Sequence, residues 1–230
     1  MNKLNIQNIK LSDSFKKYKL LACKPKNYKT SLRDENNNIF GQYGTLHSTT
    51  LFSHIAILRC LFNEFKNGIF IDLGCGVGIP LILALHHDWN AVGVEISKGS
   101  FSCCKKNINF AKKNNYINNN CKYKLFNKSF FPAEFQITTD KKNGEDDFRE
   151  ELNKLSNDNN DNIDSSILKK CTLWYHYQVE RRQNILNLFS KYATINSILV
   201  FSATRNDSFK LPKDIIEIDN LDDMWIYKKN

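Results

Sequence analysis

The chain has 230 residues, 41% of them hydrophobic, with 33 Lys and Arg against 24 Asp and Glu, a net charge of +9. That length suits one α/β domain with an arm, the apolar share is enough for one sizeable core, and no apolar run is long enough to cross a bilayer. The 7 cysteines, without a Cys-x-x-Cys pair, exclude a disulfide framework and a zinc knuckle and imply a reducing compartment, so the protein is expected to be soluble and intracellular, cytoplasmic or nuclear, and without metal.

Residues 1–38 read as a basic arm, ending in the turn-forming run Asp34-Glu35-Asn36-Asn37-Asn38, and residues 39–230 as the domain. Eight lysines face a single acid, Asp13, in residues 1–30, and eight more stand in residues 98–128 without any acid. Blocks of this kind suit nucleic acid, an acidic protein face or a membrane surface. From Thr49, apolar residues Leu51, Phe52, Ile55, Leu58, Leu61, Phe62 and Phe65 recur at spacings of three and four, which predicts a helix capped by Ser48 or Thr49.

Ile69–Leu73 is then a short strand buried on both faces, followed by a glycine-rich turn and a helix with Pro80 in its first turn. Ala91–Glu95 is a second buried strand, Lys98–Asn114 a helix, and Lys122–Phe126 a third strand. Between about 140 and 170 the composition turns polar, which predicts a low-complexity insertion, disordered or helical. Leu173–Tyr177 resumes as a strand with Trp174 packed in the core. A helix from Arg181 to Tyr192 follows, opening on Arg181 and Arg182 in solvent, then a strand over Ser197–Ser202. The runs Ile215–Ile218 and Met224–Tyr227 form a closing pair. Alternating strands and helices predict a mostly parallel, Rossmann-like sheet with helices on both faces and one antiparallel strand inserted at its end.

The chemistry concentrates in IFIDLGCGVGIP, residues 69–80. Gly74, Gly76 and Gly78 permit a sharp turn beside the carboxyl ends of the strands, with Asp72 at the first strand's tip and Glu95 closing the next. A dinucleotide site spaces its glycines G-x-G-x-x-G and faces a pyrophosphate. Here the spacing is G-x-G-x-G behind an Asp, whose carboxylate would repel a pyrophosphate and attract the amino group of a methionine moiety. Glu95 can accept two hydrogen bonds from a ribose diol.

IDLGCGVGIP followed by GVEIS resembles the first two motifs of class I S-adenosylmethionine-dependent methyltransferases. The layout is similar to the Dot-type, non-SET lysine methyltransferases, in which a Tyr-Gly-Glu segment folds over the cofactor; the chain has Tyr43-Gly44-Thr45 there. The resemblance implies cofactor contacts from Tyr43, Thr45, Asp72, Gly74, Cys75, Gly76, Gly78, Glu95 and Ile96, with Ser129 near the adenine amino group and Phe130 against its ring. The family's Gly-Asp-Phe and Asn-Asn motifs are here Lys128-Ser129-Phe130 and His176-Tyr177.

At the end of the fourth strand, Tyr175, His176 and Tyr177 are expected to line the methyl-transfer pocket and to hold a cation or its neutral amine, with His176 taking a proton from the acceptor. The expected reaction is methyl transfer from S-adenosylmethionine to a lysine of a protein, histones included. RNA or DNA methylation is one alternative, with the basic arm as the nucleic-acid contact. A small-molecule acceptor and a non-catalytic binding module are the others.

Overall fold

The computed structural model describes residues 31–33, 39–42, 48–65, 68–117, 120–136, 162–177, 182–202, 210–221 and 224–230. Ser31–Arg33 (β1), at the end of the stretch expected to be a basic arm, pairs antiparallel with Ile39–Gln42 (β2) at the start of the expected domain, Ser31 opposite Gln42. The rest of the arm lies outside the described residues.

Helix α1 covers Ser48–Glu64, so Ser48 and Thr49 belong to the helix itself rather than to its cap. Ile69–Leu73 (β3) follows, then Ile79–His86 (α2), Asn90–Val94 (β4), Lys98–Lys113 (α3) and Tyr123–Phe126 (β5). The second half runs through Ser165–Leu168 (α4), Leu173–His176 (β6), Arg182–Tyr192 (α5), Ile198–Ser202 (β7), Ile215–Leu221 (β8) and Met224–Lys229 (β9).

Seven strands form one sheet in the order β5-β4-β3-β6-β7-β9-β8. The pairs from β5 to β7 are parallel, and β9 runs antiparallel to both β7 and β8. This is the Rossmann-like arrangement, with its single reversed strand inserted near one edge. The central strands carry continuous apolar runs because both of their faces are covered. Phe70, Ala91, Leu173, Tyr175 and Val200 pack with Leu58, Leu61, Phe62, Leu81, Cys104 and Ile108 of α1, α2 and α3. Their sequence neighbours Ile71, Leu73, Val92, Trp174, Leu199 and Phe201 face Leu168, Ile185, Leu186 and Phe189 of α4 and α5. Each fully buried Leu or Phe contributes roughly 1.5–3 kcal/mol, so the two layers carry most of the stability.

The last part of the polar stretch assigned to residues 140–170 packs into the domain. Ile163, Leu168 and Cys171 are buried, and the Asp164 side chain caps α4 by accepting the Ser166 N–H at 2.8 Å. Residues 140–161 lie outside the described residues. Arg182 is buried rather than solvated, at 5% exposure; Arg181 lies outside the described residues.

β4 departs to one side of β3 and β6 to the other. In such sheets a crevice opens beyond the carboxyl ends of the strands where the order reverses. The end of β3 therefore marks the place for a ligand.

Candidate ligand crevice at the end of β3

β3 ends on Asp72 and Leu73, and the chain turns through Gly74, Gly76 and Gly78, all with positive φ (80°, 52° and 86°). The three glycines do different work. A Cβ on Gly74 would meet one atom within 4 Å, Phe130 Cε1 at 3.9 Å, so the turn is open there. A Cβ on Gly78 would fall 2.5 Å from Cys104 Sγ; this glycine lets α2 start tight against α3, and its place is in packing. Gly76 donates its N–H to Glu95 Oε2 at 2.8 Å.

Glu95 is a clamp as well as a strand end. Its other oxygen, Oε1, accepts the Ser97 N–H at 2.8 Å, so one carboxylate ties the glycine turn to the start of α3. Asn127 Nδ2 donates to the carbonyls of Glu95 and Ile96 at 2.8 and 3.0 Å, and Asn107 Nδ2 donates to the Val77 carbonyl at 2.9 Å. Burial raises the Glu95 pKa, and the backbone N–H bonds partly oppose the rise.

Asp72 has no such support. It is 2% exposed, and its Oδ2 has no hydrogen-bond partner among the described residues. Burial, with Glu95 as the neighbouring negative charge, raises its pKa well above the ordinary carboxylate value. A buried, unpartnered carboxylate beside a second one is a site asking for a cationic group.

The side chain of Cys75 is buried. The thiol lies under the turn against Cys104 and the Gly93 backbone, so this residue lends only its main chain to the crevice. Its N–H and that of Gly74 both donate to the Val94 carbonyl, at 3.0 and 2.9 Å. Ile96 is 39% exposed beside the clamp. Ser129 Oγ accepts the Phe131 N–H at 3.2 Å, and the Phe130 ring centre lies 5.5 Å from that of His176. Tyr43 and Thr45 lie outside the described residues.

The three residues expected to line the transfer pocket do not share a face. Successive strand residues point to opposite sides. Tyr175 stands beside Asp72 in register and its hydroxyl shares a hydrogen bond with His54 Nδ1 of α1, and Tyr177 meets the same imidazole at 5.2 Å between ring centres. His176 points the other way, stacked on Phe201 at 6.1 Å and edge-on to Phe130. Its Nδ1–H donates to the Leu73 carbonyl at 2.7 Å, which fixes the orientation of the ring.

His54 was not picked out by sequence reasoning. Burial lowers its pKa to about 4, and its Nε2 is unpartnered among the described residues. The signal was present: His54 stands four residues before Leu58 on the buried stripe of α1, where a polar residue needs a reason. Asn107 and Asn127 were likewise missed, since an Asn in an Asn-rich chain carries no flag. At the end of α2, burial lowers the His87 pKa to about 4 and keeps its ring neutral.

No protein-family model and no curated protein matches the sequence. Solved structures match the fold. An RNA methyltransferase of Pyrococcus horikoshii, so described provisionally, superposes with a TM-score of 0.54 at 11% identity, over 96% of this chain and 99% of that one. An Escherichia coli protein provisionally described as a methyltransferase gives 0.52 at 11% identity, over 81% and 89%. One from Haemophilus influenzae, provisionally described as a methylase, gives 0.51 at 11% identity, over 77% and 96%. The fold is that of the Rossmann-like methyltransferases. None of these three descriptions names a lysine methyltransferase, and the Dot-type layout gains no support from them.

Proposed function

We propose that the chain binds S-adenosylmethionine at the end of β3 and transfers its methyl group to a nucleic-acid base. The observation that carries the reading is the unpartnered Oδ2 of Asp72, buried next to Glu95 beside a turn left open at Gly74. The residues present fit the cofactor: Asp72 offers a counter-charge to its amino group, Glu95 has lone pairs left for a ribose diol, and Ile96 and Phe130 offer apolar surface to an adenine ring. Ser129 spends its hydroxyl on its own loop, which favours Phe130 over Ser129 as the adenine contact.

Bound S-adenosylmethionine supplies an electrophilic methyl group. The chain's own contribution is to orient, to exclude water and to accept a proton. The clamp at Glu95 fixes the turn before any ligand arrives. His176, oriented by the bond from Nδ1 to the Leu73 carbonyl, stands at the carboxyl end of β6, where it would take the proton leaving the acceptor.

A protein lysine was the expected acceptor, on the strength of an aromatic lining by Tyr175, His176 and Tyr177. The division of those residues between two sheet faces takes that support away. A nucleic-acid acceptor is supported by the lysines of α3, and by the description of the similar Pyrococcus structure. The test is a calorimetric titration with S-adenosylmethionine of wild type and Glu95→Ala. Charge-assisted hydrogen bonds are worth about 1.5–3 kcal/mol, so the variant should bind at least tenfold more weakly. Equal affinity would take Glu95 out of the site, and no binding by wild type would overturn the reading.

A further inference from the structure

We infer that the outer face of α3 is a docking surface for single-stranded RNA that leads into the crevice. The inference rests on the methyl-transfer reading for its purpose and on independent observations for its existence.

The exposed side of α3 is a single stripe. Only Ser100, Cys104, Ile108 and Ala111 are buried, at helical spacing, and the opposite side presents Lys98, Lys105, Lys106, Phe110 and Lys113 to solvent. By the rise of 1.5 Å per residue, Lys98 and Lys113 are about 22 Å apart along the axis. Lys112, with its ammonium 4.5 Å from the centre of the Tyr123 ring, ties the helix to the edge strand, whereas Lys124, between Tyr123 and Leu125 that pack on the α3 side, points to the other face of the sheet. Residues 98–128 contain no Asp or Glu, and none of these lysines pairs with a carboxylate among the described residues. A merely solvated helix face usually alternates its charges in i, i+4 pairs. This one has a single sign.

Aromatic groups are set among the cations. Phe110 is 51% exposed, with Tyr116 at 6.4 Å between ring centres. Lys105 stands 4.6 Å over Phe101. Ammonium groups to neutralise phosphates and an exposed ring on which a base stacks are the two elements of single-strand recognition. An acidic protein or a lipid surface would use the charge and have no specific use for a lone ring between lysines. The surface is also continuous with the crevice. α3 starts directly after the Glu95 clamp, and Lys128 follows β5 at the same end of the sheet, so a strand lying along α3 has one end at the glycine turn.

The test is fluorescence anisotropy of the full chain with a labelled single-stranded RNA of mixed sequence, about 20 nucleotides long, from about 50 to 200 mM salt. The triple variant Lys105→Glu/Lys106→Glu/Lys113→Glu alters exposed residues only and retains every lysine of residues 1–30. It should bind at least tenfold more weakly, with the slope of log affinity against log salt reduced by about 2. Phe110→Ala should lose roughly fivefold or more at every salt concentration. Binding by the triple variant within twofold of wild type overturns the inference. So does competition by polyglutamate as effective as that by RNA together with a silent Phe110→Ala, which would assign the face to an acidic protein. Calorimetry with S-adenosylmethionine, unchanged in these variants, separates the two readings: a wild type that binds RNA here but not the cofactor refutes methyl transfer and leaves the surface standing.

Discussion

His54 Nδ1 and the Tyr175 hydroxyl lie 2.7 Å apart, both side chains buried, across 121 residues of chain. The bond ties α1 to the centre of the sheet at the strand position next to Asp72. Tyr175→Phe would leave the His54 ring with neither nitrogen satisfied, and a buried polar group without a partner costs about 1–3 kcal/mol. His54→Phe combined with Tyr175→Phe removes both ends at once. The double variant should therefore be more stable than the sum of the two single losses allows, in urea unfolding. Strict additivity would mean that the pair is not coupled.

The same histidine sets the acid side of the stability profile. Its pKa is lowered to about 4 in the folded protein, below its unfolded value, so the unfolded chain takes up the proton first as pH falls. Stability from this group is complete above about pH 6.5 and is lost down to about pH 4, and His87 acts in the same direction. The pH dependence of the urea midpoint between these limits should be shallower in His54→Phe than in wild type. An unchanged slope would count against a neutral, buried imidazole.

Asp72 carries the opposite sign. Its folded pKa is raised, so it favours the folded state below the ordinary carboxylate range and progressively less as pH climbs through the raised value. Asp72→Asn removes that loss. Without ligand, the variant should be more stable than wild type at pH 8, by about 1–2 kcal/mol, the scale of an unpartnered buried group. It should also bind S-adenosylmethionine much more weakly. A variant that is less stable and binds equally well would contradict both the burial argument and the counter-charge role.

The turn glycines should separate folding from binding. In Gly78→Ala the new Cβ meets Cys104 Sγ at 2.5 Å at a φ of +86°, and a loss of roughly 2 kcal/mol or more is expected in thermal unfolding. Cys104→Ala removes the obstructing sulfur and should recover part of that loss. Gly74→Ala, in open space at φ +80°, should cost about 1 kcal/mol and act mainly on cofactor affinity. The two variants behaving alike would remove the distinction between packing glycine and crevice glycine.

Much of the sheet was legible before any coordinates. β3 begins and ends where its apolar run does, and β4, β6 and β7 lie within a residue of expectation at each end, because strands covered on both faces must be uninterrupted apolar runs; the edge strand β5 lies within a residue too, although Lys124 interrupts it. The antiparallel insertion of β9 followed from two terminal runs with no helix between them. Less legible was anything that depends on which face a side chain takes. Tyr175, His176 and Tyr177 were grouped because they adjoin in sequence, although the two-residue period of a strand already separates the middle one. Ile163 and Leu168 were hidden by polar neighbours, since two apolar residues in such a stretch make no period. His54 and Tyr175 are far apart in the chain, and no local pattern joins them.

β9 lies between β7 and β8, and β8 has hydrogen-bonded partners in β9 alone among the described strands. β8 therefore has no hydrogen-bonded neighbour until the strand that follows it in sequence has joined the sheet, whereas the crevice strands β3, β4 and β6 can zip together without either. A chain caught between those two stages would hold a half-built sheet whose exposed margin invites pairing with a neighbour, and a truncation into β9 should yield aggregates rather than a smaller folded protein.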